Sequence, residues 1–363
     1  MAGPGLNSGP ARLLSGTGFM ARSRAATPLL IAFTVTAGSA VAQDVIELDP
    51  ISVTDDQGPE TGPGKTTLDR QTLEEQHPGA PLDTVLRRVP GVSVQGGGDG
   101  SGEMAVNIRG LQDQGRVAVT IDGVRQNFAR SGHGANGTFT VDQEMLREVE
   151  VTRGLGGKAG AIAGAVEMRT VRADDLLQPD GSPGGEVRLR YGTLSKSPTV
   201  HGAWAKRLGA AADLTIAATR VENDSYIAPN GQYVDAWQLA RSGLVSLGFD
   251  TEAGHRFTFS ADMLSQDYVQ GTAATARDTD LRKRTYSAGF ELFDVLGGWN
   301  ADGVLYRTRT QIRQTPVAGL AIDTRLYRTE TTGLLVEADR SFTFGDTWHD
   351  VSLSLEGFRD TVT

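Results

Sequence analysis

Five histidines and no cysteines bound the metal and acid–base chemistry open to this 363-residue chain. The absence of thiols excludes disulfide frameworks, thiolate metal sites and cysteine nucleophiles together. Among the histidines His133 stands apart, because Gly132 and Gly134 flank it and the run from Ser131 to Gly137 shows no apolar periodicity. A neutral imidazole is a good metal ligand, and glycine neighbours let a flat group approach the backbone closely. A solvated loop histidine accounts for the same residues, and from them alone both readings stay open. His255 and His349 fall in short turns, His201 begins a strand, and His77 precedes Pro78; these four read as structural or solvated. Gly154-Leu155-Gly156-Gly157-Lys158 has the flavour of a phosphate loop, but Ala159 stands where Ser or Thr is needed and the spacing is wrong. Asp55-Asp56 and Asp174-Asp175 sit in polar connections as solvated pairs. No Ser/His/Asp arrangement can be placed, so an enzyme is not expected.

The elements that must hold such a loop announce themselves in composition. Glycine accounts for 46 of 363 residues, nearly double the usual share of about 7%, which implies many tight turns. A net charge of −9 argues against nucleic-acid binding, since phosphate neutralisation needs a positive surface. After residue 42 no apolar run approaches the roughly 18 residues of a transmembrane helix. Residues 1–42 read as a secretory signal: Arg12, Arg22 and Arg24, an apolar core around Leu29 to Phe33, and Ala40-Val41-Ala42 as the cleavage site. Met20 would also serve as a start. Export without cysteine suits the periplasm or outer membrane of a Gram-negative cell.

The mature chain divides into three regimes. Residues 43–65 are polar and rich in Gly and Pro, a tract too poor in apolar surface to order itself. Within it Ile51-Ser52-Val53-Thr54 is either an incidental apolar patch or an extended peptide that docks on a partner's sheet edge. Residues 66–173 carry a compact α+β pattern. Leu82, Val85, Leu86 and Val89 recur at helical spacing up to Pro90-Gly91, and strands follow at 92–94, 105–108, 117–121 and 148–151. Asp122-Gly123 marks a turn, and Asp142 caps a short helix through Leu146. The remainder, 174–363, carries the barrel strands, and from about residue 184 apolar and polar residues alternate strictly, as in Glu186 to Tyr191, Arg256 to Met263 and Val351 to Glu356. About nine strands can be drawn, with short turns near 208–212, 250–255, 294–298 and 344–348 and long loops near 222–236, 265–283 and 311–324. Loop length segregated by end distinguishes an antiparallel transmembrane β-barrel from a soluble sandwich. Nine strands cannot close around a domain of this size, so the chain is expected to be a fragment of a larger barrel.

This order resembles that of the TonB-dependent outer-membrane receptors. Leu82 to Val94 (LDTVLRRVPGVSV), Val106-Asn107-Ile108-Arg109-Gly110, Thr120-Ile121-Asp122-Gly123-Val124 and Leu146 to Gly154 (LREVEVTRG) are similar to successive motifs of that family's plug domain. The resemblance implies a plug at 66–173, the first strands of a barrel of about 22 strands, and Ile51 to Thr54 as the TonB box. It also implies TonB and its inner-membrane energising complex as partner, and the lipid of the Gram-negative outer membrane as surroundings. Gly123 to Phe128, Gly132 to Phe139 and Ala165 to Val171 followed by Asp174 to Leu177 resemble the heme and hemoglobin receptors. In those with a G-H-x-x-N-G-T-F-like segment, the histidine lies on a plug loop facing outward and ligates heme iron. The match carries that role to His133, with Gly132, Gly134 and Asn136 as neighbours and heme as transported ligand rather than resident cofactor. A second histidine ligand is then implied beyond residue 363. One departure stands after Arg153-Gly154, where the family often has Pro and then Tyr-Gly, whereas Leu155-Gly156-Gly157-Lys158 occurs here. Alternatives within the class are a siderophore or a transferrin/lactoferrin receptor; outside it, a passive porin or surface binding protein.

Overall fold

The computed structural model describes residues 64–76, 80–96, 102–113, 115–129, 136–154, 161–193, 196–271, 275–317 and 323–363. The expected signal at 1–42, the Ile51 to Thr54 peptide, His77, and the loop residues Gly132, His133 and Gly134 lie outside them.

The first domain packs short strands around one apolar centre. They are β1 (Lys65–Asp69), β2 (Val92–Gly96), β3 (Met104–Ile108), β4 (Val117–Ile121), β5 (Val124–Arg125), β6 (Phe128–Ala129), β7 (Asn136–Thr138), β8 (Leu146–Arg153) and β9 (Gly164–Thr170). The helix α1 spans Leu82–Leu86, shorter than its periodicity suggests, and buries Leu82, Val85 and Leu86. It ends because Pro90 cannot extend it and Gly91 turns the chain at φ 77° into β2. The main sheet runs β1-β8-β9-β4-β5, with β4 and β9 parallel and its other pairs antiparallel. Val149, Val151, Val166, Met168, Ile108 and Leu86 make its centre, each at most 1% exposed. Asp122 and Gly123, at φ 49° and 76°, form the tight turn between β4 and β5. Asp122 accepts bonds from the Thr170 N–H and hydroxyl, fixing that turn to the end of β9. The expected cap at Asp142 is present: its Oδ1 accepts from Glu144 N at the head of a single 3₁₀ turn, Gln143–Met145.

A second, larger sheet follows: β10 (Gly184–Gly192), β11 (Ser197–Arg207), β12 (Ala212–Asn223), β15 (Gln238–Asp250), β16 (Arg256–Gln270), β17 (Arg277–Val295), β18 (Trp299–Pro316), β19 (Arg325–Phe344) and β20 (Thr347–Val362). A small hairpin, β13 (Tyr226–Ile227) with β14 (Tyr233–Val234), lies between β12 and β15. Each strand of the large sheet pairs antiparallel with the next, so these nine strands form a partial barrel. Its burial is inverted relative to a soluble sheet. Thr215, Thr279, Thr331 and His201 are buried on the inner face, whereas Val187, Leu189, Phe259, Leu353 and Leu355 are more than half exposed outside. An apolar exterior and a polar, covered interior are what hydrocarbon on one side and a polar filling on the other select.

The short turns fall where expected, but the loops expected at 265–283 and 311–324 are largely strand. β16 runs to Gln270 and β17 starts at Arg277; β18 runs to Pro316 and β19 resumes at Arg325. The cause is a change of surroundings along the same strands. Near the long-loop end the inner face gains apolar residues (Leu264, Tyr268, Leu281, Ile312) beside Gln266, Thr279 and Gln314, while Asp267, Asp280 and Arg282 lie on the outer face. Strands of 13 to 20 residues from β15 to β20 exceed the 9–11 needed to cross lipid, so their ends stand in water and lose the apolar exterior.

Candidate functional site

The segment that the sequence marks out leaves the first domain after β5, forms β6, and returns as β7. Asn136 begins β7, the structure's only view of the residues assigned to the loop; His133, Gly132, Gly134 and the Ile51 to Thr54 peptide fall outside the described residues. The root of this hairpin is held against the wall by side chains that sequence reasoning did not single out.

Phe128 is buried among Leu264, Tyr268, Leu281 and Ile312, with Tyr327 packed alongside. These residues lie on the long-loop ends of β16 to β19, so the hairpin sits at that end of the sheet. One residue earlier, Asn127 donates from Nδ2 to Asp360 Oδ2 at 2.6 Å and accepts from the Thr331 hydroxyl at 3.1 Å. Gln126 Oε1 accepts from Lys283 Nζ at 2.7 Å, and the same ammonium reaches the Thr140 carbonyl at 3.3 Å, on the returning limb. Arg125 grips Glu356 with both ends of its fork, at 2.7 and 2.5 Å, and stacks over Phe358 with its guanidinium carbon 4.4 Å from the ring centre. Burial opposes the Arg125 charge, but the Glu356 bonds outweigh it and raise the guanidinium pKa above its ordinary value. On the return limb Thr138 donates to Glu103 Oε1 at 2.7 Å.

Four consecutive residues, Arg125 to Phe128, are therefore each fixed to a different partner on β16 to β20. The hairpin's outgoing and returning limbs are thus both tied to the wall, the returning one through the Thr140 carbonyl. The signal in the sequence that could have found the anchors is parity. Lys283 and Glu356 occupy inward positions of their strands, where a charge needs a partner. Among the described residues no group of three or more His, Asp or Glu side chains could hold a metal ion.

The other histidines of the barrel strands do not reach this site. His201 is fully buried on β11, with Nδ1 bonded to Thr219 Oγ1 at 2.8 Å and Nε2 3.4 Å from Glu186, a packing role. His255 accepts from Phe293 N in the short-turn region, and His349 stacks on Phe342.

A globular α+β domain pinned inside an inside-out antiparallel sheet defines the class: a plug-and-barrel receptor. Residues 60–165 match the TonB-dependent Receptor Plug Domain, so the first domain is a plug of that type, followed by a partial barrel. The chain is similar to Heme/hemopexin utilization protein C of Haemophilus influenzae, 35% identical over 173 residues, which cover 46% of this chain and 23% of that protein. It is also similar to the Hemophilin receptor of Acinetobacter baumannii, 33% identical over 121 residues, covering 32% of this chain and 11% of that protein. Among solved structures, the Serratia marcescens hemophore receptor HasR, in complex with its hemophore HasA and heme, superposes with a TM-score of 0.74 at 25% identity. That match covers 83% of this chain and 45% of HasR. The chain thus spans less than half the length of these relatives.

Proposed function

We propose that the protein is an outer-membrane receptor that imports heme, taken free or from a hemoprotein, with energy supplied through TonB. The observation that carries the reading is the hairpin: the segment bearing His133 is rooted by Arg125 to Phe128 at the long-loop end of the wall. His133 is then the plug's axial ligand, with Gly132, Gly134 and Asn136 as its neighbours in sequence. Similarity to a heme/hemopexin utilization protein, a hemophilin receptor and a hemophore receptor supports heme over a siderophore. Imidazole supplies one axial bond to the iron. Ile51 to Thr54 is the TonB box, adding a strand to TonB on the periplasmic side, where the short turns lie.

The test is growth of an iron-starved Gram-negative host carrying the full-length receptor, with heme as sole iron source. Growth is expected for the native receptor and lost for Val53→Pro, which removes a backbone donor from the docking strand, while heme binding to cells persists. Growth on ferric siderophores but not on heme would transfer the protein to the siderophore class. Growth that survives Val53→Pro would remove the TonB-box assignment.

A further inference from the structure

The outward face of the wall changes character between its two ends. At mid-height on β17 to β20 it is apolar: Leu305 and Leu334 lie side by side, with Val336 and Leu355 paired in the row below. Leu305 and Leu355 are more than half exposed, as a face against hydrocarbon requires. Towards the short turns this band ends in Phe342 and Phe344, and among the described residues Arg340 is the one arginine on those ends of the four strands. Towards the long loops it ends in a cluster of arginines. Register places them in three successive outward rows: Arg307 and Arg359 flank Thr332, Arg284 stands opposite Arg309, and Arg282 and Arg328 flank Gln311. Glu330, opposite Arg309, is the single carboxylate in these rows.

The protein does not neutralise this cluster itself. Glu330 lies 3.4 Å from both Arg307 and Arg309, and Asp280, one row further up, holds Arg282 at 2.9 Å. Among the described residues Arg284 and Arg359, both exposed, have no carboxylate partner. Like charges directly opposite one another destabilise a sheet, so the Arg284 and Arg309 pair is costly unless an anion lies between them. Side chains so paired start roughly 5 Å apart, which lets two guanidinium forks close on one phosphate. A soluble acidic peptide would meet the arginines but not the apolar band beneath them. An amphiphile with phosphates above its acyl chains meets both.

We propose that this patch is a binding site for the phosphorylated glycolipid of the outer leaflet. Its phosphates sit among Arg284, Arg309, Arg307 and Arg359, and its acyl chains run down over Leu305, Leu334 and Leu355. The placement is one-sided, as an asymmetric bilayer demands: the opposite rim offers aromatic side chains, which anchor at any membrane interface, and a single arginine. The inference rests on the reading of the wall as membrane-spanning with its long loops outside, and it is independent of heme.

Titration of the full-length receptor, in non-ionic detergent, with diphosphoryl lipid A supplies the test. The native receptor should bind it at least tenfold more tightly than the same lipid stripped of its phosphates. Arg284→Gln combined with Arg309→Gln should abolish that preference. Arg307→Gln combined with Arg359→Gln should weaken lipid A binding at least threefold, which keeps the test decisive if the first double variant folds poorly. Arg340→Gln, at the other rim, should bind as the native receptor does. A native receptor indifferent to the phosphates, or arginine variants that bind lipid A as it does, would overturn the assignment. Equal loss on Arg340→Gln would overturn it too, as would phosphatidylglycerol bound as tightly as lipid A. No heme enters the titration, so such a failure leaves the ligand reading untouched, and growth on siderophores instead of heme leaves this one untouched.

Discussion

The plug and the wall solve opposite burial problems with the same strand geometry. In the plug, Val149, Val151 and Val166 vanish into an apolar centre while charged residues such as Glu150 and Lys65 pair at the surface. In the wall, threonines and a lysine are buried and leucines and phenylalanines are exposed. Alternation with period two is common to both, so it reports only that two faces differ, not which face is inside. What assigns the faces is the medium: water around the plug's free surface, hydrocarbon around the wall, and the polar plug surface filling the wall's concave side.

Substitutions that respect one rule and break the other should separate the two regions. The largest effect is expected inside the plug: Leu86→Ala empties a fully buried site on α1 and should cost about 2–5 kcal/mol, read as lost hydrogen-exchange protection in β2 and β3. Phe259→Arg on the outer wall should cost about 2–4 kcal/mol for folding into lipid vesicles, since that face meets hydrocarbon. A neutral outcome there would place Phe259 outside the membrane. At the junction, Thr331→Val strips the hydroxyl that donates to Asn127 and should cost about 0.5–1.5 kcal/mol in receptor unfolding, with the barrel otherwise intact.

The smallest effect belongs to the edge of the plug, where Asp69 accepts from Thr72 N and the Thr72 contacts hold its carboxyl below the ordinary 3.8. A depressed folded-state pKa stabilises above the unfolded value and is lost as pH falls through the folded one. Acidification below about pH 4 should therefore fray the Asp69–Thr72 turn, and Asp69→Asn should abolish that pH dependence. Hydrogen exchange at Thr72 measured against pH checks both.

Much of the fold is legible in the sequence because its signals are local. Pro90-Gly91, Asp122-Gly123 and the Asp142 cap act through φ restrictions and one-residue hydrogen bonds, and all three appear in the structure. The upper ends of β16 to β19 were hidden because their pattern changes: Tyr268 and Leu281 turn inward towards Phe128, while Asp267 and Asp280 pair on the outer face. A stretch that is apolar inside and charged outside reads as a loop to anyone expecting lipid. The anchors of the hairpin were hidden for a different reason. Asn127 meets Asp360 across 233 residues, and Lys283 meets Gln126 across 157, separations at which spacing carries no information. His133 could be singled out from its glycine neighbours, but the contacts that anchor the flanking strands could not.

The most direct measurement is the visible spectrum of heme bound to the full-length receptor, native and His133→Ala. Loss of one axial bond should shift the Soret maximum and weaken heme binding, while the thermal stability of the plug stays within about 0.5 kcal/mol, since a glycine-flanked loop residue packs little. Coincident spectra with undiminished heme binding would contradict the assignment of His133 as the plug's heme ligand.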